Sequence, residues 1–325
     1  MNSIRPITVL EEQVRHIQWL RSKQGVEYAN SYLMEMEEES DLSHQRPFNE
    51  DWTDMDLSEQ QALALDRADT FWVSRDMIRL VEHSAQSLPD SKLSEIDLPT
   101  RSGFVWLEEP WRARDIHDQE CLTRAFMWAP TRLQFGSQIS TEISGVWVCF
   151  YSWKDDSEHD ESVLAAAAYK RQKLEDFIQP LPRLMLLQSF GWAFGMKAPP
   201  EENAEVTLSQ KILTFWRLVQ QRLPRQERAQ KDRGTTRRLA RMGTTLRQEE
   251  VRMITLRQQR PTSEANGSGD SEEVLWSHRW VVSGHWRNQY YPSTNEHRPI
   301  WINSYVKGPD DRPLVVKDTV FSWRR

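Results

Sequence analysis

The last fifty residues constrain the fold most. Trp276-Ser-His-Arg-Trp-Val-Val-Ser-Gly-His-Trp-Arg-Asn-Gln-Tyr-Tyr-Pro-Ser, then Asn295-Glu-His-Arg-Pro-Ile-Trp-Ile-Asn-Ser-Tyr-Val-Lys-Gly-Pro-Asp-Asp-Arg-Pro, interleave tryptophan, histidine, arginine and lysine with β-branched residues. A period of two sends successive side chains to opposite faces, so strands here carry rows of polar groups beside aromatic planes. Three strands are predicted, Leu275–Trp286, Pro299–Val306 and Thr319–Trp323.

Upstream, residues 9–38 predict a helix with Leu10, Val14 and Ile17 on one face, and Ser58 opens a second, short helix. Thr70-Phe-Trp-Val predicts a strand, with Ser74 capping a helix whose face is Met77, Leu80 and Val81. Further strands follow Gly103 and run over Leu122–Trp128 and Gly145–Trp153, the last alternating Val146, Val148 and Phe150 with Trp147, Cys149 and Tyr151. Ser162–Phe177 predicts a helix through its alanine run, and Leu181–Phe194 is apolar enough to be buried. Ile212, Phe215, Trp216 and Val219 give Thr207–Leu223 the spacing of an amphipathic helix. Arg225–Met242 reads as a basic helix in two parts broken around Gly234, and Glu250–Arg257 as a strand. Polar residues from Pro261 to Ser271 predict a disordered insert.

The expected architecture is α+β: an N-terminal mixed helix/sheet domain over residues 1–196, then a C-terminal domain over 207–325 with helices packed on a small four-stranded antiparallel sheet. Fifteen Trp, 11 Phe and 7 Tyr supply the buried surface for a folded chain although 28% of residues are charged. No run approaches the roughly 18 apolar residues of a membrane span, so a cytoplasmic protein without membrane contact is expected. Two cysteines, Cys121 and Cys149, are too few for a disulfide framework. No Cys-x-x-Cys, Walker-type, Gly-x-Gly-x-x-Gly, Gly-x-Ser-x-Gly or His-Glu-x-x-His motif is present, so neither metal nor cofactor is expected. The acidic run Lys154–Glu161 reads as a solvated charged loop.

Charge is divided along the chain. Glu35–Asp97 holds 17 acidic and 5 basic residues, whereas Arg222–Arg260 holds 12 basic and 4 acidic. Such a split marks either a nucleic-acid-facing segment beside an acidic region that shields or docks it, or two solvated helical faces of opposite sign. Metal-independent RNA cleavage needs a base, an acid and cations around the phosphorane. Arg279, His285, Arg287, His297 and Lys307 supply those types, and strand parity lets Arg279, His285 and Arg287 share a surface. Arg237, Arg238 and Arg241 can line one side of a helix, and Tyr290, Tyr291 and Arg298 can meet unpaired bases. The structural alternative assigns His285 to a strand end, Gly284 to a bulge and Trp280, Trp286 and Trp301 to the core.

Gly284-His-Trp-Arg-Asn-Gln-Tyr-Tyr-Pro-Ser, Arg298-Pro-Ile-Trp-Ile and Val306-Lys-Gly-Pro-Asp-Asp-Arg-Pro-Leu, with Leu98-Pro-Thr-Arg-Ser-Gly-Phe-Val-Trp upstream, resemble a group of uncharacterised actinobacterial and actinophage proteins over roughly residues 70–325. The resemblance implies a phage or mobile-element setting and no activity. Helices followed by an antiparallel sheet bearing His, Arg, Lys and Tyr are similar in layout to the RelE-like and barnase-like ribonuclease toxins. Two readings follow: a protein acting on RNA or another nucleic acid, an endoribonuclease or RNA-binding toxin-like protein, or a noncatalytic protein that binds a partner protein through its acidic N-terminal part and aromatic sheet.

Overall fold

A computed structural model describes residues 4–29, 56–114, 119–135, 141–198, 206–256, 279–292, 295–307 and 313–315. The predicted helix beyond residue 29, the insert at 261–271 and the strand at Thr319–Trp323 lie outside the described residues.

Seven strands form one mixed sheet. They are β1 (Asp69–Val73), β2 (Gly103–Arg114), β3 (Glu120–Phe135), β4 (Thr141–Trp153), β5 (Leu184–Ala193), β6 (Pro224–Arg228) and β7 (Val251–Leu256), in the order β5-β4-β3-β2-β1-β7-β6. β1 runs parallel to both its neighbours, β2 and β7, and every other pair is antiparallel. The small four-stranded C-terminal sheet is therefore corrected: β7 joins the strands of the first 196 residues. Val251 and Ile254 explain why, because they bury on opposite faces of the sheet, which helices on one face alone could not cover. The expected division near residues 196 and 207 does not separate two sheets.

Helices cover both faces. α1 (Val9–Leu20), α2 (Leu57–Arg67) and α7 (Arg233–Met242) pack over one, whose core includes Leu10, Ile17, Trp106, Met127, Trp147 and Tyr151. α3 (Arg75–Ala85) and α6 (Leu208–Val219) pack over the other, with Met77, Val81, Phe126, Trp128, Val148 and Trp216. This double cover is why both parities of β4 are apolar and buried. Ser74 caps α3 by accepting from the Met77 amide, and Thr207 caps α6 with a reciprocal Gln210 bond.

Three local expectations change. Residues 161–177 form two helices, α4 (Glu161–Tyr169) and α5 (Leu174–Ile178), because Arg171 takes a left-handed φ of 54° between them. The first part of the basic helix is instead β6, a charged edge strand, and α7 starts only after Asp232, whose carboxylate accepts from the Thr235 amide. Gly234 thus sits inside the first turn of α7 rather than at a break. Within the acidic loop, Asp156 and Asp160 are buried rather than solvated: Asp160 caps α4 and also accepts from the Leu122 amide. No helix among the described residues is long and apolar enough to cross a membrane.

Candidate functional site

The C-terminal segment folds into a two-stranded ribbon. β8 (Arg279–Val282) and β9 (His285–Tyr291) run out, and β10 (Glu296–Ile302) and β11 (Tyr305–Lys307) return; β9 pairs with β10 and β8 with β11 in one continuing register. β12 (Leu314–Val315) adds to β8 in parallel. Ser283 and Gly284 lie between the ladders, so the predicted single strand 275–286 divides there.

Two tryptophans seat this ribbon on the body. Trp286 and Trp301 face each other across β9 and β10, with ring centroids 5.5 Å apart at 70°. Trp301 is buried in the core under α3 and α6, and its amide donates to Gln221 Oε1 at 3.2 Å. The Trp286 indole N–H donates to the Ser84 carbonyl at the end of α3, 2.8 Å away. A Cβ on Gly284 would lie 2.5 Å from the Trp301 ring, so this glycine is a close-approach residue and not a phosphate cradle. Gly284→Ala is expected to cost about 1–3 kcal/mol by overpacking. Urea unfolding measures this, and an unchanged midpoint would show that the ribbon does not rest on Trp301.

Pairing fixes which predicted site residues meet. His285, Arg287, Gln289 and Tyr291 share one face with Arg298, Ile300 and Ile302, which lie opposite them or on the same parity of β10. Trp286, Asn288 and Tyr290 share the other face with His297, Pro299 and Trp301. His285 and His297, the two imidazoles among the candidate catalytic residues, are thus on opposite faces. His285 is exposed, and its Nδ1 lies 3.0 Å from the Ser283 carbonyl, the contact of a strand end.

On the first face, Arg287 is exposed and donates to Gln289 Oε1 at 2.8 Å, while the Arg298 guanidinium lies 5.4 Å from the centre of the Tyr291 ring. Gln289 received no role from the sequence, although strand parity alone would have placed it in this row. At the hairpin tip the other face emerges from the core: exposed Tyr290 packs against His297 at 4.9 Å and bonds Asn295 through its hydroxyl. Lys307 ends β11 opposite Trp280, beyond the Ser283–Gly284 interruption from His285 and Arg287. Arg279 keeps their parity but sits in β8, its amide held by the Pro313 carbonyl at 2.8 Å.

The basic helix is elsewhere. α7 lies over the opposite face of the seven-stranded sheet, anchored by Leu239. Arg238 is drawn inward, its Nε donating to Glu11 Oε1 of α1 at 2.8 Å. Arg237 and Arg241 remain exposed without an ion pair among the described residues, and Arg233, not chosen from the sequence, extends their four-residue spacing. Ion pairs of Lys231 with Glu249 and Arg228 with Glu250 offset part of the remaining charge of this segment. The two cationic elements therefore do not form one surface.

No family model matches the chain, and no curated protein matches it. Among solved structures, the crystal structure of AcrVA2 aligns with a TM-score of 0.35 at 12% identity, covering 74% of this chain and 72% of that one. A likeness at that level carries no argument about this protein.

Proposed function

We propose that this protein binds single-stranded nucleic acid, RNA in the first instance, on the outward face of the β9–β10 hairpin. The carrying observation is the row His285, Arg287, Gln289, Tyr291 and Arg298 on one face of a ribbon whose base is locked into the core by Trp286 and Trp301. Guanidiniums reach phosphates, and an aromatic ring at the same surface can stack an unpaired base. Pre-ordering by the tryptophan pair lowers the entropy lost on binding. Binding without strand cleavage is favoured because the two imidazoles of the hairpin do not face one space. The setting of such a protein is a phage or mobile element, as the sequence resemblance implies.

Fluorescence anisotropy with a short single-stranded RNA tests this. Arg287→Ala and Arg298→Ala should each reduce the dependence of log affinity on log salt by about 0.7. Arg237→Ala with Arg241→Ala, across the sheet, should leave hairpin binding unchanged. An absence of RNA binding, or full affinity in both hairpin variants, would sink the reading. Ile300 and Ile302 on the same face favour a protein partner as the second reading, for which binding would persist in salt. RNA cleavage that is lost in His285→Ala would restore the nuclease.

A further inference from the structure

A cavity of about 620 Å³ opens at the end of the sheet where β2 begins. Its floor follows from register. Arg132 of β3 lies opposite Ser144 of β4, and Pro130 opposite Val146, so these four share the face covered by α3 and α6. Phe194, whose amide donates to the Ser144 carbonyl at 3.0 Å, extends that floor past β5. A Cβ on Gly145 would lie 2.3 Å from the Trp192 carbonyl, so β4 and β5 press together and close the floor from behind.

The facing wall is residues 95–101, and it is held rigidly. Arg217 of α6 donates to both carboxylate oxygens of Asp97, at 2.9 and 3.3 Å, and Gln220 donates to the Ile96 and Asp97 carbonyls. The Trp128 indole N–H donates to the Thr100 carbonyl at 2.9 Å. None of these bonds involves the side chains that the wall turns toward the cavity. Arg101 is exposed at its rim and makes no ion pair among the described residues.

We propose that this cavity binds a nucleoside monophosphate, with the phosphate at Arg101 and Arg132 and the base over Leu98 and Phe194. The volume is in the range that encloses a molecule of this size. Arg101 and Arg132 line it, Glu95 is the one carboxylate among the described lining residues, and guanidinium pairs with phosphate by forked, charge-assisted bonds. Leu98, Pro130, Val146 and Phe194 add apolar surface against which a flat base can lie. Glu95 can accept from a ribose hydroxyl or an exocyclic amine, and the Ser144 hydroxyl can donate to the phosphate. The cavity also adjoins the hairpin through α6: Gln220 bonds its wall, and the next residue, Gln221, bonds Trp301.

This site goes beyond the hairpin reading and stands without it. Isothermal titration of the whole protein with adenosine monophosphate should show one site, and Arg101→Ala should weaken it by about tenfold or more. Arg101 is exposed, so this variant should keep its fold, which circular dichroism checks. Arg287→Ala should leave the nucleotide affinity unchanged. No binding, equal binding of inorganic phosphate, equal binding of adenosine, or full affinity in Arg101→Ala would each overturn the proposal. Loss of RNA binding in the hairpin variants with nucleotide binding intact would support it as an independent site.

Discussion

Asp156→Ala is expected to destabilise the fold by about 3–5 kcal/mol, most of the stability of an ordinary domain at the lower end of the usual range. The cause lies in a gap in the sheet. β2 and β3 lose register between Trp106 and Trp111, so the carbonyls of Leu107 and Glu108 fall outside the ladder. Arg124 Nη1 fills the gap, donating to both at 3.1 and 2.7 Å. Its Nε and Nη2 donate to the two oxygens of Asp156 at 2.7 and 2.8 Å, and both side chains are only 1% exposed. Removing the carboxylate leaves an uncompensated guanidinium in the core, a far larger penalty than losing one hydrogen bond. Urea unfolding of Asp156→Ala and of Arg124→Met with Asp156→Leu provides the check. The double variant should recover much of the loss, and a single variant within about 1 kcal/mol of the parent would contradict the buried pair.

Acid should act through a different residue. His16 on α1 is 5% exposed, with its ring 5.1 Å from Tyr151 and stacked at 6.0 Å on Trp19, and neither ring nitrogen has a hydrogen-bond partner among the described residues. Burial lowers its pKa from the ordinary 6.5 to about 3. Below pH 6.5 the unfolded chain takes up a proton that the folded chain refuses, so stability falls toward pH 3 by about 1.4 kcal/mol per unit. Between pH 7 and pH 5 this amounts to about 2 kcal/mol. His16→Phe keeps an aromatic ring against Tyr151 and removes the titration. The difference in unfolding free energy between parent and variant should therefore shift by that amount across the interval, and parallel pH profiles would rule out a neutral buried imidazole.

Elements with a strong local signal were legible in the sequence. Thr70–Val73, the Ser74 cap, Thr207–Leu223 and Glu250–Arg257 all occur within a few residues of where alternation, capping residues and helical spacing put them. The partners of those strands were not, because β1 meets β7 across some 180 residues and nothing local records that encounter. Pro224–Arg228 misled because an edge strand of Pro, Arg, Gln, Glu and Arg has no apolar alternation, and its charges resemble those of the adjoining helix. Asp156 and Asp160 looked solvated among neighbouring carboxylates, since only the gap at Arg124 and the start of α4 draw these two inward. At the candidate site, the aromatic and cationic residues of the hairpin were visible. Their division between two faces required the turn and the pairing of Trp286 with Trp301, and the cavity beside Arg101 required three strand ends to meet.

The place of β1 between β2 and β7 bears on how the chain emerges from a ribosome. Five of the seven strands are complete by residue 193, but one flank of β1, with Phe71 and Trp72 in it, has no neighbour until residues 251–256 arrive. Throughout that interval the nascent sheet presents an open apolar edge, the kind that other strands extend. Synthesis of β7 thus gives β1 its second neighbour and completes the core on both faces of the sheet.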